Sequence, residues 1–197
     1  MLTNTKSIIE AQKIEAETKP DKQQPLVDSF AISDSDFADD MSITLSKSIG
    51  LIAADKTKHY YSYGNFNLVR VILHIMKQIG PVHVFMTSYS FSNKSIEQLI
   101  RKRELGELLS FKVIVDNRVK SMSPIPFQML STAFDYRCSS IHAKVALLWN
   151  DKWNISIVTS QNATDNPKME RGAIYTDKNV FDFDLKALKN EFNRGTT

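Results

Sequence analysis

Two polar pairs recur at one spacing in the second half of the chain. His142 and Lys144 stand two apart in IHAKVALLW, and Ser160 and Asn162 stand two apart in NISIVTSQNATDN. In an extended chain, residues two apart share a face, so each pair would present its side chains together. Between the runs, Asn150-Asp151-Lys152 predicts a tight turn that pairs them as antiparallel neighbours. A lysine entering an apolar strand needs an anion nearby, because an unpaired buried charge is costly. One imidazole, one ammonium, one hydroxyl and one carboxamide brought together make a donor-rich cradle that suits a phosphate.

The elements that must position these groups are legible in part. NFNLVRVILHIMKQIG reads as a helix: Asn65 or Asn67 caps it, Leu68, Ile72, Ile75, Met76 and Ile79 repeat at helical spacing, and Gly80-Pro81 stops it. PVHVFMTSYS is a buried strand, SNKSIEQLIRKREL a second capped helix, and FKVIVDN a second buried strand. A helix is expected after Pro126, then the strands HAKVALLW, NISIVTS and GAIYTD, and DFDLKALKNEF as a closing helix. MSITLSKSIGLIAA reads as short strands or loop. The order predicts an α/β sandwich with a central mixed sheet flanked by helices. In such sheets ligands gather at strand ends, where TSYS, DN and TSQN stand. Residues 1–40 are polar, with a short helix expected around 7–17 and linker elsewhere. The expected domain covers 41–197.

Composition narrows the classes. The 197 residues are 42% hydrophobic and 24% charged, which suits one globular core. A net charge of +3 tolerates an anionic partner such as nucleic acid without demanding one. The single Cys138 cannot form an internal disulfide, which points to a reducing compartment. The N-terminus lacks a signal-peptide core, and no stretch approaches the ~20 apolar residues that span a bilayer. A cytoplasmic protein without a membrane element is expected. A serine-hydrolase elbow is missing. Four scattered histidines and one cysteine argue against zinc, and no cofactor is expected.

His142-Ala143-Lys144 followed by Ser160-Gln161-Asn162 resembles the H-x-K…S-x-N signature of the phospholipase D superfamily. Glu170, in NPKMERGAIY before a strand, matches a glutamate that backs the histidine there. The element order resembles that fold across residues 60 to 185. One position departs: the family places an aspartate five residues after the lysine, and here Trp149 stands there. The resemblance implies a phospholipase D-like fold and a metal-independent phosphodiesterase, with His142, Lys144, Ser160, Asn162 and Glu170 as the catalytic set. Superfamily sites use two H-x-K motifs, whereas His59, His74 and His83 are not followed by lysine at that spacing. A single-motif chain resembles the small nuclease branch, in which two identical subunits pool their motifs, so an isologous homodimer is expected. The implied chemistry is a covalent phosphohistidine on His142, with Glu170 fixing that ring's tautomer.

Ser88, Asp116, Lys168 and Arg171 are candidate substrate contacts, although Ser88 and Tyr89 read more naturally as strand-end packing. Arg101-Lys102-Arg103 is an ordinary helix end or, with Arg118, Lys120, Lys168 and Arg171, a polyanion-steering patch. The substrate implied is DNA or RNA. A nucleic-acid-binding or assembly protein that keeps the fold without turnover is the alternative, with Trp149 as its best support. A phospholipid phosphodiesterase or phosphatidyl transferase is a further one.

Overall fold

The structure, a computed structural model, describes residues 45–197 together with the backbone of Asp34–Phe37. The helix expected at 7–17, and the expected linker other than 34–37, lie outside the described residues.

Among the described residues, eight strands form one mixed sheet: β1 (Asp34–Phe37), β2 (Lys56–Tyr63), β3 (Val82–Ser88), β4 (Leu108–Asp116), β5 (Asp135–Ser139), β6 (Val145–Trp149), β7 (Asn154–Thr159) and β8 (Met169–Tyr175). Their spatial order is β1-β2-β8-β7-β6-β3-β4-β5. β3, β4 and β5 run parallel, whereas β6, β7 and β8 join as an antiparallel meander. The helices are α1 (Leu45–Ser48), α2 (Leu68–Ile79), α3 (Asn93–Glu104), α4 (Val119–Met122), α5 (Pro124–Ala133) and α6 (Lys178–Arg194). The expected sandwich of a mixed sheet between helices is the fold observed.

The central strands bury both faces, which is why they read as unbroken apolar runs. Val84, Met86, Val113, Val115, Ala146 and Leu148 join α2, α3 and α5 in one core. The alternate residues Phe85, Ile114 and Leu147 pack against Phe181, Leu188 and Phe192 of α6. Asn67 caps α2 by accepting from the Arg70 N–H at 3.1 Å, which decides between the two asparagines. Gly80 ends that helix at φ +85°, a conformation glycine adopts without strain.

The differences from expectation share a cause. 45–48 is a helix, where strand or loop was expected. β2 and β5 went unread because KTKHYYSY and DYRCS lack an apolar alternation; backbone pairing to β8 and β4 holds them, and Tyr60 and Cys138 are their buried contributions to the core. β1 lies inside the stretch expected to be linker and pairs parallel with β2. An edge strand of this kind needs a backbone partner more than an apolar face. β6 begins at Val145, so His142 and Lys144 precede the strand that was expected to contain them.

Candidate active site

His142 and Lys144 lie in the link between β5 and β6, held from three sides. The Thr87 hydroxyl of β3 donates to the Ala143 carbonyl at 2.8 Å and accepts from the Val145 N–H at 3.0 Å. The Thr159 N–H of β7 donates to the Lys144 carbonyl at 3.0 Å. The Ile141 N–H, just before His142, donates to the Ser139 carbonyl at 3.1 Å. A tether on each flank fixes the link without making it part of the ladder.

That arrangement separates the two side chains by exposure. His142 is exposed, whereas Lys144 is only 6% exposed. The Lys144 ammonium donates to the His142 carbonyl at 2.7 Å and lies 3.3 Å from Nδ1 and 3.2 Å from Nε2 of its ring. Burial pulls the lysine's pKa below its ordinary value, and the Glu170 carboxylate pushes it back up. Glu170 therefore supports the lysine's charge through space.

The second pair sits on the loop after β7, pinned by a buried network. The Tyr60 hydroxyl reaches the Gln161 carboxamide at 2.9 Å, and Gln161 Nε2 donates to the Phe66 carbonyl at 2.6 Å. Tyr60 crosses β8 over Gly172, where a Cβ would lie 2.3 Å from the ring. Burial pushes the Tyr60 phenol well above its ordinary pKa, so it remains a neutral donor. Ala163 accepts from the Ser92 N–H at 3.2 Å, and the Asn162 carbonyl accepts from the Leu68 N–H at 3.1 Å. The N-terminal ends of α2 and α3 thus meet the loop that carries Asn162, which favours negative charge there. The Tyr89 N–H donates to Asn162 Oδ1 at 3.2 Å. That bond orients the amide and leaves Nδ2 as a donor for a ligand.

Glu170 departs from its expected role. Its carboxylate accepts from the Ser160 hydroxyl and, at 2.7 Å, from Asn166 Nδ2, rather than from His142. β8 and the loop before it place the carboxylate beside Ser160, and these neighbours occupy it. Ser160 is exposed and also accepts from the Arg171 N–H at 3.0 Å.

The outer candidates divide. Ser88 is fully buried, donating to the Ser90 carbonyl at 2.8 Å and accepting from the Ala163 N–H at 3.0 Å. Its hydroxyl braces the Asn162 loop through both of these backbone contacts. Asp116 is also buried, with the Arg118 guanidinium 2.7 Å from Oδ1. That hydrogen bond, with the Arg118 charge and the Ile141 N–H, holds the carboxyl below the usual aspartate range. Both carboxylate oxygens thus face Arg118. Lys168 and Arg171 are exposed on the loop before β8 and on β8 itself.

Tyr89 is the residue that sequence reasoning undervalued. Its ring lies 5.8 Å from the His142 ring at 59°, with the Arg118 guanidinium 4.8 Å and the Lys144 ammonium 6.0 Å from its centroid. Its place at the end of the TSYS strand was the available signal, because strand ends are where such sheets build sites.

Trp149, at the position where the resemblance expects aspartate, occupies the far end of β6. Five residues at ~3.3 Å each put it about 16 Å along the strand from Lys144. There it stacks on His83, with ring centroids 5.4 Å apart, and meets Phe181 edge-on at 6.0 Å. Among the described residues, no three His, Cys, Asp or Glu side chains cluster as a metal site, and no helix is long and apolar enough to cross a membrane.

The fold is phospholipase D-like, a mixed sheet flanked by helices that it shares with solved structures. The chain is similar to Nuc from Salmonella typhimurium, a phospholipase D family member, with a TM-score of 0.55 and 16% identity over 71% of this chain and 96% of that one. NucT from Helicobacter pylori aligns with a TM-score of 0.54 and 15% identity, over 71% of this chain and 98% of that one. Polyphosphate kinase from Porphyromonas gingivalis aligns with a TM-score of 0.53 and 14% identity, over 72% of this chain but 26% of that one. No family model matches the sequence, and no curated relative does.

Proposed function

We propose that the protein is a metal-independent phosphodiesterase acting on DNA or RNA, with one site shared between two subunits. The observation that carries this reading is the buried Lys144 ammonium held at 3.2–3.3 Å from both ring nitrogens of an exposed His142. A lysine whose charge is costly to bury is best explained by an anionic ligand. On substrate binding, Lys144 turns from the ring to the non-bridging phosphate oxygens, and Asn162 Nδ2 adds a hydrogen bond. The freed imidazole nitrogen attacks phosphorus. An N–P bond forms as the P–O bond to the leaving group breaks, and the proton for the departing oxygen comes from a second imidazolium.

One chain supplies a single H-x-K pair, so the second imidazolium is assigned to His142 of the partner subunit. That ring then takes a proton from water, which cleaves the N–P bond and restores the neutral nucleophile. Glu170 serves by keeping Lys144 charged and by holding Ser160. Lys168 and Arg171 serve as exposed cations for flanking phosphates. The surface proposed to seat the partner is the face of β2, β7 and β8 beyond α6. It exposes Tyr61 at 45%, Tyr63 at 43%, Val158 at 40% and Met169 at 61%. Val158 pairs with Val145, next to Lys144, so the patch borders the site.

The test is cleavage of plasmid and oligonucleotide substrates in excess chelator, together with solution mass. The proposal expects cleavage that persists in chelator and disappears in His142→Ala, and a dimeric mass. Met169→Glu should shift the mass to monomer and abolish cleavage with it. Cleavage that requires added magnesium, or a fully active monomer, would overturn the reading.

A further inference from the structure

A cavity of about 470 Å³ opens between α6 and the sheet, at the end of β6 remote from His142 and Lys144. Four aromatic rings wall it: Phe85, Trp149, Phe181 and Phe192, with Leu185 beside them. Phe85 and Phe192 meet edge-on at 5.4 Å, as Trp149 and Phe181 do at 6.0 Å. Along α6, Phe181, Leu185, Lys189 and Asn193 recur every fourth residue on one stripe. The stripe passes from buried Phe181 to exposed Lys189 and Asn193, so apolar walls give way to donors.

The charges are not equivalent. Lys112 is already paired with Asp135 at 3.5 Å and lies 5.3 Å from the Phe192 ring centroid. Lys189 has neither ion pair nor hydrogen bond among the described residues, which leaves one free ammonium beside an aromatic-lined space. The volume falls in the range of small-molecule sites, and so does the pattern of apolar walls with a few placed polar groups. Trp149 ties the cavity to this chain, because an aspartate at that position would remove one of its walls.

We infer that this cavity is a second binding site, for a small aromatic molecule bearing one acidic group, with the ring system among Phe85, Trp149, Phe181 and Phe192 and the acid on Lys189. It is independent of the phosphodiesterase reading.

Two fluorescent probes with the same apolar body separate the parts of the claim. Anilinonaphthalene sulfonate carries an acid, and phenylnaphthylamine does not. On the full-length protein, the sulfonate should bind saturably at one site per chain and quench Trp149 by energy transfer, and Trp149→Phe should remove that quenching. Lys189→Glu should weaken the sulfonate about tenfold, the loss of one charge-assisted contact, and leave phenylnaphthylamine unchanged. Leu185→Trp, which fills the cavity, should abolish both. Lys189 is exposed, so its variant keeps the test open if the filled one does not fold. Binding that is non-saturable, that survives Leu185→Trp in a folded protein, or that falls equally for both probes in Lys189→Glu would overturn the inference.

Discussion

The two ends of β6 make opposite use of the same strand. At its start the chain lies outside the ladder, tethered by Thr87, Thr159 and the Ser139 carbonyl, and it holds a charged side chain in a buried place. At its finish Trp149 is stacked and walled by His83 and Phe181 under α6. The first end accepts an electrostatic cost that the Glu170 carboxylate offsets only in part, and the second is held by aromatic packing. The difference bears on the missing aspartate. A residue about 16 Å along the strand from Lys144 at ~3.3 Å per residue does not reach a phosphorus atom there, so Trp149 removes no reacting group.

Breaking the first end should have the largest effect. His142→Ala is expected to lower cleavage about a thousandfold or more, since it removes both the nucleophile and, across the dimer, the proton donor. Its urea midpoint should match the parent's, because the exposed ring carries little packing. A variant that unfolds more readily, or that retains cleavage, would mean the ring is structural.

Breaking the second end should reverse that pattern. Trp149→Asp installs the residue that the resemblance expects and puts a carboxylate among aromatic rings. It should cost about 2–4 kcal/mol of stability, somewhat under the range for truncating a fully buried tryptophan because Trp149 is half-buried. Below the unfolding transition, cleavage should stay within about twofold. Higher activity at unchanged stability would show that the two ends are coupled and that the aspartate's role is chemical.

Asp116→Asn sharpens the comparison through pH. The Arg118 partnership lowers the folded-state pKa of Asp116, so the ionised carboxylate stabilises the fold above its ordinary value of 3.8 and is lost as pH falls through the depressed one. The urea midpoint of Asp116→Asn should lie below the parent's at neutral pH. The gap should close progressively once pH drops under the ordinary aspartate range. A gap independent of pH would mean that the carboxylate's charge, paired with Arg118, is not what Asp116 contributes to stability.

Much of this was readable in the residues. The apolar runs of β3, β4, β6 and β7 and the capped helices α2 and α3 are written in periodicity and cap chemistry, and so was the sandwich. The polar strands β1, β2 and β5 were not, because backbone pairing leaves no side-chain pattern. Of the site, the pairs His142–Lys144 and Ser160–Asn162 were visible by type and spacing. The partners were not. Glu170 was matched by its place before a strand, but its hydrogen bonds go to Ser160 and Asn166. Ser88 and Asp116 stand at strand ends as a binding residue would, yet both are turned inward. Only three-dimensional packing decides which way a strand-end side chain faces.

Tyr89 is the smallest and most discriminating case. Sequence reasoning assigned it to packing, and the structure sets its ring against His142, Lys144 and Arg118 while its N–H orients Asn162. If the ring positions the imidazole, Tyr89→Ala should lower kcat about three- to tenfold, matching the ~0.5–1.5 kcal/mol of one aromatic contact. Tyr89→Phe keeps the ring and loses only the hydroxyl's 3.6 Å contact with the Met122 sulfur, so it should restore kcat to within about twofold. Both variants keep the backbone donor to Asn162, so KM should move less than kcat. Equal losses in the two variants would shift the credit from the ring to the hydroxyl, and a change confined to KM would make Tyr89 a substrate contact instead of a positioning residue.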